Sequence, residues 1–338
     1  MFFRLTPDRR RRPVDLVDLY AGPRAAACWI LGGGPSLSKL PLSAIDRTPA
    51  PKLAVNLAGV KRIRPDFWTA YDPTPRFHRA IYHDARILKL LPAFRATDLV
   101  PETADKVCDC PGAAFFDLEG RDYHDALAPG QTRVLDWADS LAMAVDVAYR
   151  LGFRRLLMAG CDMRVRPSAA QLELARRAGV EDDPLETLDS FVRRCKEAGV
   201  SADRLDRCGP APVYHFDETK PLAAAVSTDN HYFRISQALR QSRRAFATAG
   251  LQIVSVTPGS RLNDYFPYQP AAEAAAALHR DWGDIAAETE RGRYHADGPR
   301  LPENAGPMKD VPPPRRDKDA KPKPADPKPE PVFVREEA

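Results

Sequence analysis

The segment Gly32-Gly33-Gly34-Pro35-Ser36 is the first place in the chain where residue type and spacing suggest chemistry. It follows a continuous apolar run, Ala25 to Leu31, that stops at the glycines. A short apolar run bounded by glycine suits a buried parallel strand. Pro35 is tolerated in the first turn of a helix, and Ser36 can cap one. The segment therefore reads as a strand-to-helix bend. Such a bend presents free backbone N–H groups, and the helix dipole adds positive potential beside them. Glycines let a phosphate approach the backbone closely. Gly32, Gly33, Gly34 and Ser36 are thus candidate nucleotide contacts. The spacing matches neither G-x-G-x-x-G nor a Walker loop with its Lys-Ser/Thr. A tight turn selected for packing is the competing reading.

Further polar residues fall at the ends of predicted strands. Asn56 follows Lys52 to Val55, Asp72 follows Phe67 to Tyr71, and Asp162 follows Arg154 to Cys161. Ligands of open α/β sheets gather at the carboxyl ends of strands. Asn56 is suited to a base or ribose. Asp72 and Asp162 are suited to ribose hydroxyls or to a magnesium ion bridging phosphates. Each aspartate also has a plain role in a turn. Ser140, opening a predicted helix, is a further nucleotide candidate, with simple N-capping as its alternative. His231 stands in Thr228 to Phe233, read as a loop before a helix, and is a candidate general base. Asp72 joins it on the catalytic side. Ser260 and Arg261, after the last strand, are candidate substrate contacts through hydroxyl and guanidinium.

The elements that must position these residues follow from periodicity. Strands are expected at Ala25 to Leu31, Lys52 to Asn56, Phe67 to Tyr71, Arg154 to Asp162 and Leu251 to Val256, with another at Lys106 to Cys110. Helices are expected at Phe77 to Leu91, Asp139 to Leu151, Ala169 to Ala178, Pro184 to Ala198, Arg234 to Ala249 and Ala271 to Glu290. Leu141, Val145, Ala148 and Leu151 recur at helical spacing, and Gly152 supplies a stop. Alternating strands and helices predict an α/β fold: a Rossmann-like, mostly parallel sheet with helices on both faces. The expected organisation is a basic arm over 1–24, holding a short helix at Val14 to Tyr20, and a main domain over 25–270. That domain carries a helical insertion at about 165–225. A C-terminal helix over 271–297 and a disordered tail over 298–338, rich in Pro, Lys and acids, complete the chain.

Composition narrows the partners. The formal net charge is +4, and the dense basic run is Arg9 to Arg12. Without a basic stripe interleaved with aromatics, nucleic acid is not an expected partner. Six cysteines lack paired C-x-x-C spacing and read as reduced thiols. The opening Met1-Phe2-Phe3-Arg4 lacks the apolar core of a signal peptide, and no run reaches the ~20 apolar residues of a membrane span. A cytoplasmic location is the expectation.

Four blocks, in order, resemble one known family. Ile30-Leu31-Gly32-Gly33-Gly34-Pro35-Ser36-Leu37 is similar to the opening G-x-GPSL motif of the hydroxymethylpterin diphosphokinase MptE-like family. That family includes bacterial motility accessory factors that modify flagellin with nonulosonic acids. Val55-Asn56 resembles its strand ending in Asn. Asp139 to Ala144, Leu151 to Phe153 and Leu157 to Asp162 resemble its helix-and-strand block. Val256-Thr257-Pro258-Gly259-Ser260-Arg261-Leu262 resembles its closing stretch. The likeness spans roughly Ala25 to Pro267, with a more distant one to bacterial CMP-sialic-acid sialyltransferases. Leu141 stands where that transferase branch often carries glycine. The resemblance implies a nucleotide-binding Rossmann-like domain and makes Gly32, Gly34, Ser36, Asn56, Ser140 and Asp162 ligand contacts.

Two chemistries fit this reading. One is diphosphoryl transfer from Mg-ATP, the other glycosyl transfer from a nucleotide sugar, each to the hydroxyl of a small-molecule or glycan acceptor. A different class, a non-catalytic nucleotide- or glycan-binding protein with a partner-docking tail, stands beside them, since fold does not fix function.

Overall fold

A computed structural model describes residues 2–6, 8–14, 27–58, 63–120, 122–124, 126–128, 130–215 and 218–282. The expected helix at 14–20 apart from Val14, the end of the C-terminal helix and the tail over 298–338 lie outside the described residues.

The chain opens with two short strands, β1 (Phe3–Leu5) and β2 (Arg11–Pro13), followed by β3 (Ala27–Leu31). Helix α1 (Leu42–Asp46), strands β4 (Lys52–Val55) and β5 (Phe67–Thr69), and helix α2 (Arg79–His83) come next. Strands β6 (Leu88–Pro92), β7 (Ala113–Phe116), β8 (Leu118–Glu119) and β9 (Val134–Leu135) lead to helix α3 (Ser140–Arg150) and strand β10 (Arg155–Ala159). Helices α4 (Ala169–Arg177), α5 (Leu188–Glu197) and α6 (Ala202–Arg207) precede a hairpin of β11 (Val213–His215) and β12 (Glu218–Thr219). Helices α7 (Leu222–Gln241) and α8 (Arg243–Thr248), strand β13 (Gln252–Ser255) and helix α9 (Ala271–Trp282) complete it.

The main sheet runs β13-β10-β3-β4-β5-β6-β7-β1-β2. From β13 to β7 all neighbours are parallel, and β1 and β2 continue antiparallel. The fold is α/β and Rossmann-like. Both faces of the sheet are covered, which explains why β3, β4 and β10 are continuous apolar runs without alternation. Cys28 and Ile30 of β3 pack with α3 and Phe153 on one face, while Trp29 and Leu31 pack with Leu37, Ile45 and Leu278 on the other. Segment 165–225 builds a separate small core from Ala175, Leu188, Phe191, Cys195 and Leu205. No helix among the described residues is long and apolar enough to cross a membrane.

Four expectations are corrected. Phe77 to Leu91 is not one helix: α2 ends at His83 and Leu88–Pro92 is a central parallel strand. Lys89, fully buried in that strand, donates from its ammonium to the Asp84 carbonyl at 2.7 Å. A lysine inside an apolar strand imitates the polar face of a helix. Lys106 to Cys110 is a single tight turn, and the strand lies just beyond it at Ala113–Phe116. The basic N-terminal run is not a free arm, because Phe2 and Phe3 enter the core. Arg11 pairs with Asp117 at 2.6 Å. Finally, the helix expected from Arg234 begins at Leu222, so His231 lies mid-helix rather than in a loop.

Candidate functional site

From β3 the chain adds β4, β5, β6 and β7 outward on one side; β10 and β13 then return to the other side of β3. The strand order reverses between β3 and β10, the place at which open α/β sheets hold their ligands. A cavity of about 610 Å³ opens there. Its lining includes Gly32, Gly33, Gly34, Asn56, Asp72, Ser140, Asp162 and His231. Residues from six separate places in the sequence thus converge, and Ser36 stands directly behind Asp162.

The glycine bend does not present the expected row of free amides. Gly32 N–H donates to Ala159 O, and Gly34 N–H to Gly160 O, each at 2.8 Å. Pro35 has no N–H. The Ser36 hydroxyl donates to Asp162 Oδ2 at 2.7 Å, with its N–H aimed at the same oxygen at 3.4 Å. The helix that follows is one short 3-10 segment, Pro35–Lys39, so little dipole is added. An aspartate of this chain therefore occupies the place expected for a ligand anion. Burial raises its pKa, while the Ser36 hydrogen bonds pull the other way. The glycines serve close approach. A Cβ on Gly32 would meet Gly160 O at 2.7 Å, on Gly34 it would meet Asp162 Oδ2 at 2.0 Å, and on Gly33 the His215 ring at 2.0 Å. The packing reading of the triplet accounts for Gly32 and Gly34.

Other walls are equally specific. Asn56 donates from Nδ2 to Asp72 Oδ2 at 3.2 Å. A carboxylate only accepts, so the amide orientation is fixed and Oδ1 is left as a buried acceptor without a partner among the described residues. Asp72 also takes the Arg76 guanidinium at 2.8 Å. Ser140 Oγ accepts the Tyr71 N–H at 2.9 Å and keeps its own proton to donate. Asp139 caps α3 by accepting from Leu141 N and Ala142 N at 2.8 and 2.9 Å. Its other oxygen meets His231 Nε2 at 3.0 Å. Nε2 must then carry a hydrogen, and in the neutral tautomer so fixed Nδ1 is the acceptor. His231 thus stands in a His–Asp pair on the cavity wall. Asn56, Ala138 and Met163 line the cavity with φ of 57°, 49° and 52°. For Ala and Met such backbone costs about 1–2 kcal/mol each.

Besides Ser36, two predicted residues fall outside the cavity lining. Arg261 is buried: Nη1 donates to Met163 O at 2.7 Å and Nη2 pairs with Asp229 at 3.1 Å. Ser260 Oγ donates to Cys161 O at 2.6 Å. Both bind the backbone of Cys161–Met163 beside the cavity, and neither side chain lines it. Magnesium is not well served by Asp72 and Asp162. The first is neutralised by Arg76, the second is bound to Ser36, and no group of three His, Cys, Asp or Glu side chains among the described residues could hold an ion.

Several lining residues escaped sequence reasoning. The β11–β12 hairpin brings Tyr214, His215 and Lys220 over the bend. Burial first, then Lys220 and Arg76, lowers the His215 pKa to about 4, so its ring is neutral near pH 7. The Tyr214 hydroxyl is hydrogen-bonded to Glu218. The Tyr214-His215 dipeptide beyond the insertion helices was the available signal. Helix α7 contributes Ser227, His231 and Arg234, whose i, i+4, i+7 spacing marks one face. No family model, curated protein or solved structure matches the chain.

Proposed function

We propose that this protein is a nucleotide-dependent transferase that moves a glycosyl group from a nucleotide sugar to a hydroxyl acceptor. The observation that carries the reading is the cavity at the strand-order reversal, where Asn56, Ser140, Asp162 and His231 converge. The similarity of the Gly32–Leu37 and Leu157–Asp162 motifs to the MptE-like family supports the same class.

Each wall has a role in this chemistry. Asn56 Oδ1 accepts a hydrogen bond from the base or ribose, and Asp162 accepts from ribose hydroxyls. Ser140 donates to phosphate oxygen. His231 Nδ1 takes the proton of the acceptor hydroxyl, with Asp139 orienting the ring and stabilising the imidazolium. The acceptor oxygen forms a bond to the anomeric carbon. The bond from that carbon to phosphate oxygen breaks, and the nucleotide leaves with the electron pair. Diphosphoryl transfer from Mg-ATP is less well supported. The Gly32 and Gly34 amides are spent on Ala159 and Gly160, and the two carboxylates are already engaged.

The test is a thermal-shift panel of CMP, UDP, CMP-sugars, UDP-sugars and ATP, with and without magnesium. Nucleotide at 100 times its Kd stabilises by about 2.7 kcal/mol. Stabilisation by CMP or UDP without metal, followed by donor consumption when a hydroxyl acceptor is supplied, is expected. A response that needs both triphosphate and magnesium would replace this reading with diphosphoryl transfer. Protection without turnover would leave a binding protein.

A further inference from the structure

We infer that Arg234 anchors an acidic group of the acceptor, so that the acceptor is a hydroxyl compound carrying a carboxylate or phosphate within one helical turn of the reacting oxygen. The inference rests on the transferase reading of the same cavity. Ser227, His231 and Arg234 occur at i, i+4, i+7 on α7, and all three line the cavity. Arg234 lies three residues beyond His231, about 4.5 Å further along the helix axis. A molecule that gives its proton to His231 therefore has its neighbouring substituents within reach of the guanidinium.

The charge state of the wall points the same way. Among the cations that line the cavity, Arg76 is committed to Asp72 at 2.8 Å. Lys220 donates to Thr228 Oγ1 at 3.1 Å and sits 3.9 Å from the Tyr214 ring centroid. Arg234 has no hydrogen bond and no ion pair among the described residues. Near it, His231 has already taken the Asp139 carboxylate. Arg234 is exposed at the cavity rim, and a guanidinium unpaired among the described residues beside a proton acceptor is a fork for carboxylate or phosphate oxygens. In the transferase reading Asn56 and Asp162 hold the nucleotide, and Arg234 is assigned to the other substrate.

The experiment follows the Arg234 side-chain N–H signal in the full chain, assigned as the signal missing from Arg234→Gln. The probes are galactose, galacturonate and galactose 6-phosphate, which differ only at one substituent. The acidic sugars are expected to shift the signal and to bind about tenfold more tightly than galactose, a charge-assisted hydrogen bond's worth. Arg234→Gln should reduce all three to the galactose value. A preference for galacturonate alone identifies a carboxylate, and one for galactose 6-phosphate alone a phosphate. Equal response to all three, response to none, or an acidic preference that survives Arg234→Gln would overturn the inference. So would a shift caused by nucleotide and by no sugar. Nucleotide titration of the same sample is read separately. A sample that prefers acidic sugars but binds no nucleotide sinks the transferase reading and leaves the anion site standing.

Discussion

Asp139 has two tasks that a single substitution can separate. One oxygen caps α3 and the other holds His231. Asparagine caps about as well as aspartate, yet its amide cannot stabilise an imidazolium. Asp139→Asn should therefore leave the melting temperature nearly unchanged while turnover of the donor identified by the nucleotide panel falls. His231→Ala should lower turnover by roughly 10²–10⁴, the usual worth of a positioned base. The double variant should be little worse than His231→Ala, because the aspartate acts through the histidine. Additive losses in this cycle would mean that the two residues act independently and that Asp139 does not work through His231. Arg261 makes the opposite contrast. It is buried against Asp229, which also accepts Val165 N–H and Leu188 N–H at 2.8 and 2.9 Å. Arg261→Met leaves that carboxylate without its counter-charge and should cost about 3–5 kcal/mol in urea unfolding. Loss of affinity at unchanged stability would restore Arg261 as a ligand contact.

At the scale of elements, the glycine bend and the β11–β12 hairpin are coupled through one contact. A Cβ on Gly33 would meet the His215 ring, the end of a side chain on a short hairpin, whereas on Gly34 it would meet Asp162 and the Gly160 carbonyl at 2.8 Å. A side chain can swing away, but backbone cannot. Gly33→Ala should thus displace the hairpin, with increased protease cleavage near 213–219 and a small change in melting temperature. Gly34→Ala should destabilise the junction of β3 and β10 itself. Equal losses for the two variants would deny that the hairpin is the yielding part. The same contrast explains what was legible in the sequence. Strands β3, β4, β10 and β13 and helix α3 stand out because each is a continuous apolar run or a helical repeat closed by glycine or a cap. The hairpin is invisible because two strands of two or three residues carry no periodicity. The first half of α7, Leu222 to Asn230, was missed because alanines and hydroxyl residues dilute its apolar face. The glycine triplet lies in the cavity lining, but its amide partners are carbonyls far along the chain, and no local pattern reveals them.

For the whole molecule, two buried groups set opposite pH dependences. Asp66 is buried beside the start of β4, and desolvation raises its pKa to about 7 despite Lys52. Between about 4 and 7 the folded protein keeps a proton that the unfolded chain has released, so stability falls as pH rises. Asp146 and Asp162 are raised by burial in the same direction. His215, lowered to about 4, does the reverse. Between about 4 and 6.5 the unfolded chain binds a proton that the folded protein refuses, so stability rises with pH. A tenfold difference in proton affinity between the folded and unfolded chain is worth roughly 1.4 kcal/mol, and the two slopes partly cancel in the native protein. Urea midpoints measured from pH 4 to 7 should separate them. His215→Gln should steepen the decline of stability with rising pH, and Asp66→Asn should convert that decline to a rise or a plateau. Parallel curves for all three proteins would refute both assignments. The groups also lie at opposite ends of the sheet. Asp66 accepts from Lys52 N at 2.8 Å at the amino end of β4, whereas His215 covers the glycine bend at the carboxyl ends. Saturating nucleotide should therefore alter the slope that His215 contributes and leave the Asp66 slope as it was, because the ligand rebuilds the surroundings of one imidazole and touches nothing near the buried carboxyl.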